Sequence, residues 1–130
     1  MSYPTQYDPK TDPSTFVFPE PLGTTTVTIE FCDRVSRLHR ATWIQTELFL
    51  TFPSPVIGSI TLIPLSLEET AGRFRVWLSY KSKPAELVWD RKVEGGFPEL
   101  KILKQRIRDR IQPGKSLGHS DNIPRVMESK

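Results

Sequence analysis

The chain has 130 residues, of which 37% are hydrophobic and 25% are charged, and its formal net charge is +3. This composition is typical of one globular domain with a single core, and it excludes wholesale disorder. No apolar run approaches the ~20 residues of a membrane-spanning helix, and the only cysteine, Cys32, excludes an internal disulfide and a cysteine-rich zinc site.

Residues 1–23 are set apart by five prolines, which are spaced so that neither a helix nor a sheet can form. The segment has no apolar signal core and no arginine, so we expect no secretory or transit peptide and a cytoplasmic or nuclear protein. We predict a proline-rich, disordered arm over these residues. An apolar cluster within the arm is a candidate for docking onto the domain, namely Phe16, Val17 and Phe18.

A strand and a long helix follow the arm. Residues 25–31 alternate between apolar and polar, which predicts a half-buried strand. From residue 35 to 52, apolar positions recur at steps of three and four, the period of an amphipathic helix that Pro53 and Pro55 would end. The predicted inward stripe of this helix consists of Leu38, Ala41, Gln45, Leu48 and Phe52, widened by Ile44 and Phe49.

The second half of the chain contains shorter elements. They are a strand at 56–65, a polar connection at 66–72, the two strands of a hairpin at 73–80 and 85–90, and a helix that starts near Pro98. Pro113 and Gly114 end this last helix, whose apolar stripe is Leu100, Leu103, Ile107 and Ile111. The residues that follow are expected to form a loosely attached tail.

Together these elements predict an α/β (α+β) fold with the order β-α-β-β-β-α, a four-stranded mixed sheet and two helices. The first two strands must be parallel because a helix joins them, and the hairpin then extends the sheet in the antiparallel sense. This is the minimal thioredoxin-like layout, with an arm at 1–23, a domain at 24–114 and a tail at 115–130. Cys32 falls at the carboxyl end of the first strand, where open sheets place their ligands.

Short segments spread over residues 25–121 carry a family pattern. They are VTIEFC at 27–32, LHRATW at 38–43, QTEL at 45–48, GRFRVW at 72–77, LVWDRK at 87–92, EGGFPE at 94–99, the helix at 100–110 and LGHSD at 117–121. As a set they resemble the selenoprotein W-like (Rdx) family. The resemblance implies a small thioredoxin-like protein that acts in thiol redox chemistry, often linked to glutathione, through a Cys-x-x-Cys or Cys-x-x-selenocysteine site. Cys32 matches the first position of that site, whereas Val35 occupies the second.

Cys32 has two interpretations. As a nucleophile it would exchange, as a monothiol, with glutathione disulfide or a protein disulfide, and a second thiol would release it. The helix N-terminus and Arg34 favour its thiolate, while Asp33 opposes it. As a structural residue it would be a small buried hydrophobe at the end of a strand. The function is then either monothiol redox exchange or, with a degenerate redox site, that of a non-catalytic protein-interaction module.

The remaining candidates are a loop and a basic helix. Gly95, Gly96 and Phe97 could face the cysteine and shape a groove for a peptide or for glutathione; helix-start geometry is the simpler role for the two glycines, and the role of Phe97 is open. With Arg34 and Val35, these are the predicted binding residues. Acidic residues interrupt the cations of the last helix, so a solvated face is favoured over nucleic-acid binding. We expect no metal and no cofactor except glutathione as a co-substrate.

Overall fold

The computed structural model describes residues 8, 10–81 and 83–114. Its strands are β1 (Thr25–Cys32), β2 (Ser59–Leu65), β3 (Phe74–Tyr80) and β4 (Glu86–Asp90). Its helices are α1 (Val35–Thr51), α2 (Arg91–Glu94) and α3 (Leu100–Ile111), with 3-10 turns at Pro13–Thr15 and Glu68–Thr70. The predicted tail at 115–130 and residues 1–7 and 9 of the predicted arm lie outside the described residues, and the disorder of the arm stays a prediction.

The sheet has the order β2-β1-β3-β4. Strand β1 pairs in parallel with β2 and antiparallel with β3, where Phe31 lies opposite Phe74. Strand β4 pairs antiparallel with β3, and the register shifts between Val76 and Trp77. The predicted four-stranded mixed sheet is therefore confirmed, and its two inner strands are β1 and β3.

Helices α1 and α3 cover one face of the sheet. The alternation of β1 sends Val27, Ile29 and Phe31 into the core, while the side chains between them are partly exposed on the other face. The predicted apolar stripe of α3 is confirmed, since Leu103 and Ile107 are fully buried. Each such apolar side chain contributes about 1.5–3 kcal/mol through burial. Within this core α1 packs on β1 and β2, whereas α3 packs on α1 and β4.

The inward stripe predicted for α1 is wrong at Leu38, which is half exposed, and at Phe49, which is 36% exposed. Leu38 lies on the same side of the helix as Gln45 and Phe49, and Gln45 donates a hydrogen bond to the Ile60 carbonyl of β2. Strand β2 is an edge of the sheet, so no described element beyond it covers this side of α1. Trp43 is 49% exposed on the outer side of α1.

Helix α2 is a third helix where two were expected. Asp90 caps it by accepting a hydrogen bond from the Lys92 N–H, and Gly95 ends it in the left-handed conformation, with φ +86°. Helix α3 begins at Leu100 rather than at Pro98. In the described part of the chain, no helix is both long and apolar enough to span a bilayer.

The apolar cluster of the arm does not dock: Phe16, Val17 and Phe18 are all largely exposed. The arm meets the domain further along, at Leu22, because a Cβ atom added to Gly58 would fall well inside van der Waals contact with the Leu22 carbonyl oxygen. The last residues before β1 therefore lie against the start of β2.

This contact predicts the effect of Gly58→Ala. The added methyl must push the Leu22 backbone away, so we expect a loss of roughly 1–3 kcal/mol in the free energy of unfolding, measured by urea denaturation. Gly96→Ala is the matched control, because a Cβ there meets nothing within 4 Å. Equal stability of the two variants would contradict the contact between Leu22 and Gly58.

Candidate functional site

Cys32 is the last residue of β1, as expected, and it is only 4% exposed. Its N–H donates a hydrogen bond to the Arg73 carbonyl (2.8 Å), and the next N–H, of Asp33, donates to the Leu65 carbonyl (2.7 Å). The chain is thereby tied to both neighbouring strands just before it turns into α1. These two bonds place the thiol at the junction of β1 and the first turn of α1.

Polar groups around the sulfur lower the pKa of the Cys32 thiol. The largest cause is a hydrogen bond from the Gly72 backbone N–H, and burial opposes it. The Arg34 side chain then lowers the pKa by hydrogen bonding and by its charge, and the charge of Arg37 adds to this. The predicted direction of the Arg34 effect agrees with these causes, and their sum lowers the pKa of the thiol although burial opposes it.

Gly72 is a site residue that the sequence analysis missed. It lies in the left-handed conformation (φ +75°), which an L side chain adopts only at a cost. Its N–H points to the thiol, and its carbonyl accepts a hydrogen bond from Arg91 Nη1 (3.1 Å). The sequence signal for Gly72 was its position two residues before Phe74. Phe74 lies opposite Phe31 in the β1–β3 pair, so Gly72 falls near the end of β1 that carries Cys32.

Phe97 lies at this end of the fold, on the edge of the core. Its ring packs edge-to-face on Phe74, with ring centres 5.3 Å apart. Three guanidinium groups surround the same ring, at 4.9 Å for Arg37, 4.1 Å for Arg40 and 5.0 Å for Arg91. Each such contact is worth about 0.5–1 kcal/mol at an exposed site. We call Arg37, Arg40 and Arg91 the arginine cluster.

The arginine cluster joins Phe97 to the thiol. Arg37 both stacks on Phe97 and acts on Cys32 through its charge. Arg91 stacks on Phe97 and holds the carbonyl of Gly72, whose N–H reaches the sulfur. The structure therefore brings together Cys32, Arg34 and Phe97 of the predicted residues. The signal for Arg37 and Arg40 in the sequence was the spacing of three residues from Arg34 to Arg37 and again from Arg37 to Arg40, which puts successive arginines next to each other on a helix.

The other predicted residues have local roles in the described contacts. Gly95 ends α2 in its left-handed conformation, and the Gly96 carbonyl accepts a hydrogen bond from Trp89 Nε1 (2.9 Å). These contacts agree with a conformational role for the two glycines, and their part in a binding groove stays a prediction. Val35 is the first residue of α1, and Arg34, at the N-cap position, makes no side-chain capping bond.

The basic helix α3 uses several of its cations inside the fold. Arg106 donates two hydrogen bonds to the Glu94 carboxylate, at 2.7 and 3.2 Å, and its guanidinium lies 4.8 Å from the Trp89 ring. Lys104 pairs with Glu47 of α1 at 3.4 Å. Across the described residues, no three histidine, cysteine, aspartate or glutamate side chains are grouped so that they could hold a metal ion.

Comparison with known proteins returned a family and similar structures. The model of the Rdx family matches residues 26–109. A selenoprotein W-related protein from Vibrio cholerae is 36% identical, with a TM-score of 0.58, and the match covers 69% of this chain and 100% of that chain. A protein from Bordetella parapertussis is also 36% identical, with a TM-score of 0.55 and coverage of 67% and 98%. Among curated proteins, no sequence matched the chain significantly.

Proposed function

The chain belongs to the Rdx family, a thioredoxin-like redox family, and on this basis we propose that it is a thiol redox protein that works through Cys32 as a monothiol. Its substrates are glutathione disulfide or mixed disulfides of proteins, with glutathione as co-substrate, in the cytosol or nucleus. The observation that carries the proposal is the polar surrounding of the sulfur: the Gly72 N–H and the Arg34 guanidinium both stabilise a thiolate.

The proposed exchange takes two steps. In the first, the Cys32 thiolate attacks the glutathione sulfur of a protein–glutathione mixed disulfide; a bond forms between the two sulfurs, and the protein thiolate leaves. In the second, the thiolate of another glutathione attacks the glutathione sulfur bound to Cys32. Glutathione disulfide leaves and the Cys32 thiolate is restored. One disulfide is thereby exchanged for another: the substrate cysteine ends as a free thiol, and the single reduced glutathione that is consumed ends in glutathione disulfide.

Because the chain has a single cysteine, the second step needs a thiol from another molecule. The position three residues after Cys32 holds Val35, so no second cysteine is present to attack the mixed disulfide from within the chain. Release therefore depends on an external thiol. The low exposure of Cys32 further restricts the reaction to disulfides that can reach a nearly buried sulfur.

The test is the rate of Cys32 alkylation by iodoacetamide as a function of pH, read by intact mass. We expect the pH at which the alkylation rate is half-maximal, the midpoint, to be lower for the native protein than for the same protein unfolded in urea, because the folded state lowers the pKa of the thiol. Arg34→Gln should raise the midpoint, since it removes a hydrogen bond and a positive charge, while Lys101→Gln on the exposed side of α3 should leave it unchanged.

Incubation with glutathione disulfide completes this test. The proposal requires a mixed disulfide that is absent from Cys32→Ser and that reduced glutathione removes. A native midpoint at or above the unfolded value, together with no mixed disulfide, would contradict the redox proposal and leave the non-catalytic interaction module as the function.

A further inference from the structure

The arginine cluster concentrates positive charge around the Phe97 ring, and one of its members, Arg37, also acts on the Cys32 thiol through its charge. All three guanidinium carbons lie within 5.0 Å of the Phe97 ring centre, so no two of them are more than about 10 Å apart. That separation is close to the screening length at physiological ionic strength, about 8 Å. Because arginine does not lose its proton in proteins, these like charges repel each other at every physiological pH.

The cluster lacks the counter-charge that other cations of the fold have. Carboxylates pair with the following cations elsewhere: Arg73 with Glu30, Arg75 with Asp90, Lys104 with Glu47, Arg106 with Glu94 and Arg110 with Glu86. Among residues 8, 10–81 and 83–114, no carboxylate pairs with Arg37, Arg40 or Arg91. In addition, the Nε of Arg37 is buried without a hydrogen-bond partner. That Nε is enclosed by the protein and out of reach of a partner, but an anion bound at the accessible side of the cluster would relieve the repulsion among the three guanidinium groups.

Two exposed apolar side chains follow the cluster on the outside of α1. Trp43 lies three residues after Arg40, so the two side chains are neighbours on the helix surface, and it is 49% exposed. Leu50, two turns further on, is 69% exposed. Free phosphate would use only the charges, whereas a polypeptide can cover the indole ring as well. The combination favours a protein ligand over a small inorganic anion.

We propose that the arginine cluster and Trp43 form a binding surface for an acidic segment of a partner protein. Carboxylates of the segment accept hydrogen bonds from the guanidinium groups, whose Cζ atoms lie 4.1–5.0 Å from the Phe97 ring centre. An apolar side chain of the segment packs on Trp43. This surface goes beyond the proposed thiol function, because its charges and its indole ring act whether or not Cys32 reacts.

The probe is a short fluorescein-labelled peptide in which glutamates flank a central phenylalanine, titrated with the full chain and followed by fluorescence anisotropy. We expect saturable binding that weakens as NaCl is raised, and no binding of the peptide with glutamine in place of glutamate. The double variant Arg37→Gln, Arg40→Gln should bind about tenfold more weakly, as expected for the loss of two exposed charge pairs. Trp43→Ala should weaken binding as well.

Matched variants test whether peptide binding depends on this surface, on net charge alone or on the thiol. Lys83→Gln with Lys101→Gln removes the same net charge from exposed positions elsewhere and should bind normally. The double variant Arg37→Lys, Arg40→Lys should recover part of the affinity, which guards against a folding defect. Cys32→Ser should bind as the parent chain does, so failure of the redox proposal would leave this result intact.

Four outcomes would overturn the proposal. The glutamate and glutamine peptides could bind equally. Alternatively, the variant Lys83→Gln, Lys101→Gln could lose as much affinity as the variant Arg37→Gln, Arg40→Gln. Loss of binding in Cys32→Ser would mean that the peptide is retained through the thiol. Full displacement by millimolar inorganic phosphate, combined with normal binding by Trp43→Ala, would identify a small phosphate site instead of a surface for a protein segment.

Discussion

Replacing Phe74 by alanine is expected to lower the free energy of unfolding by about 3–5 kcal/mol. Phe74 is fully buried in an inner strand, opposite Phe31 in the β1–β3 register. Its removal leaves a cavity between the sheet and the helices, and the surrounding core can collapse into that cavity only in part. It also removes the edge-to-face contact that supports Phe97.

Urea denaturation of Phe74→Ala and of Phe49→Ala measures this effect. Phe49 is a matched control because it is the same residue type, 36% exposed on the side of α1 that no described element covers. We expect the Phe49 variant to lose much less stability than the Phe74 variant, and Phe74→Leu to fall between them. Similar losses for the alanine variants would contradict the burial of Phe74 in the core.

Val35→Cys is expected to convert the chain from monothiol to dithiol redox behaviour. It restores a second thiol three residues after Cys32, so a mixed disulfide on Cys32 can be attacked from within the chain. Because an intramolecular thiol acts at an effective concentration far above that of external thiols, we expect release on the order of a hundredfold faster or more than with ~1 mM reduced glutathione. The product is an internal disulfide.

The measurement is the decay of the mixed disulfide by intact mass after glutathione is removed. The parent chain should keep its mixed disulfide until a thiol is added, while Val35→Cys should release it unaided. Leu38→Cys supplies the control, since it adds an exposed thiol at a different spacing. If Leu38→Cys releases glutathione as fast as Val35→Cys, the spacing of the site has no special role. If Val35→Cys retains its mixed disulfide, the local geometry has departed from that of a dithiol site.

The elements of the fold that the sequence predicted correctly are those with a regular local pattern of apolar residues. The alternation in β1 and β3 and the stripe of α3 each follow from a period within one segment, because strands and helices repeat their buried positions regularly. Helix α2 escaped prediction because four residues are too few to show a helical period. It depends on the Asp90 cap and on the left-handed Gly95 at its two ends, signals that are common in turns as well.

Exposure of side chains depended on neighbours that the sequence could not reveal. Leu38 and Trp43 both stand in a helix with a clear apolar period, yet α1 is covered only on its inner side. Similarly, Phe16, Val17 and Phe18 form an apolar cluster that finds no partner, whereas the less conspicuous Leu22 backbone lies against Gly58. Burial results from the packing of whole elements, and a segment's own composition does not specify what covers it.

The position of the thiol could be inferred from the sequence, because the change from a period of two to a period of 3.6 marks the junction of β1 and α1 around Cys32. The absence of a second thiol is likewise visible as Val35. The surroundings of the sulfur were decided only by the tertiary structure. Gly72 lies forty residues from Cys32, and Arg91 and Phe97 are further away still. Sheet pairing and helix packing bring these groups together, and electrostatic and hydrogen-bond effects act across space rather than along the chain.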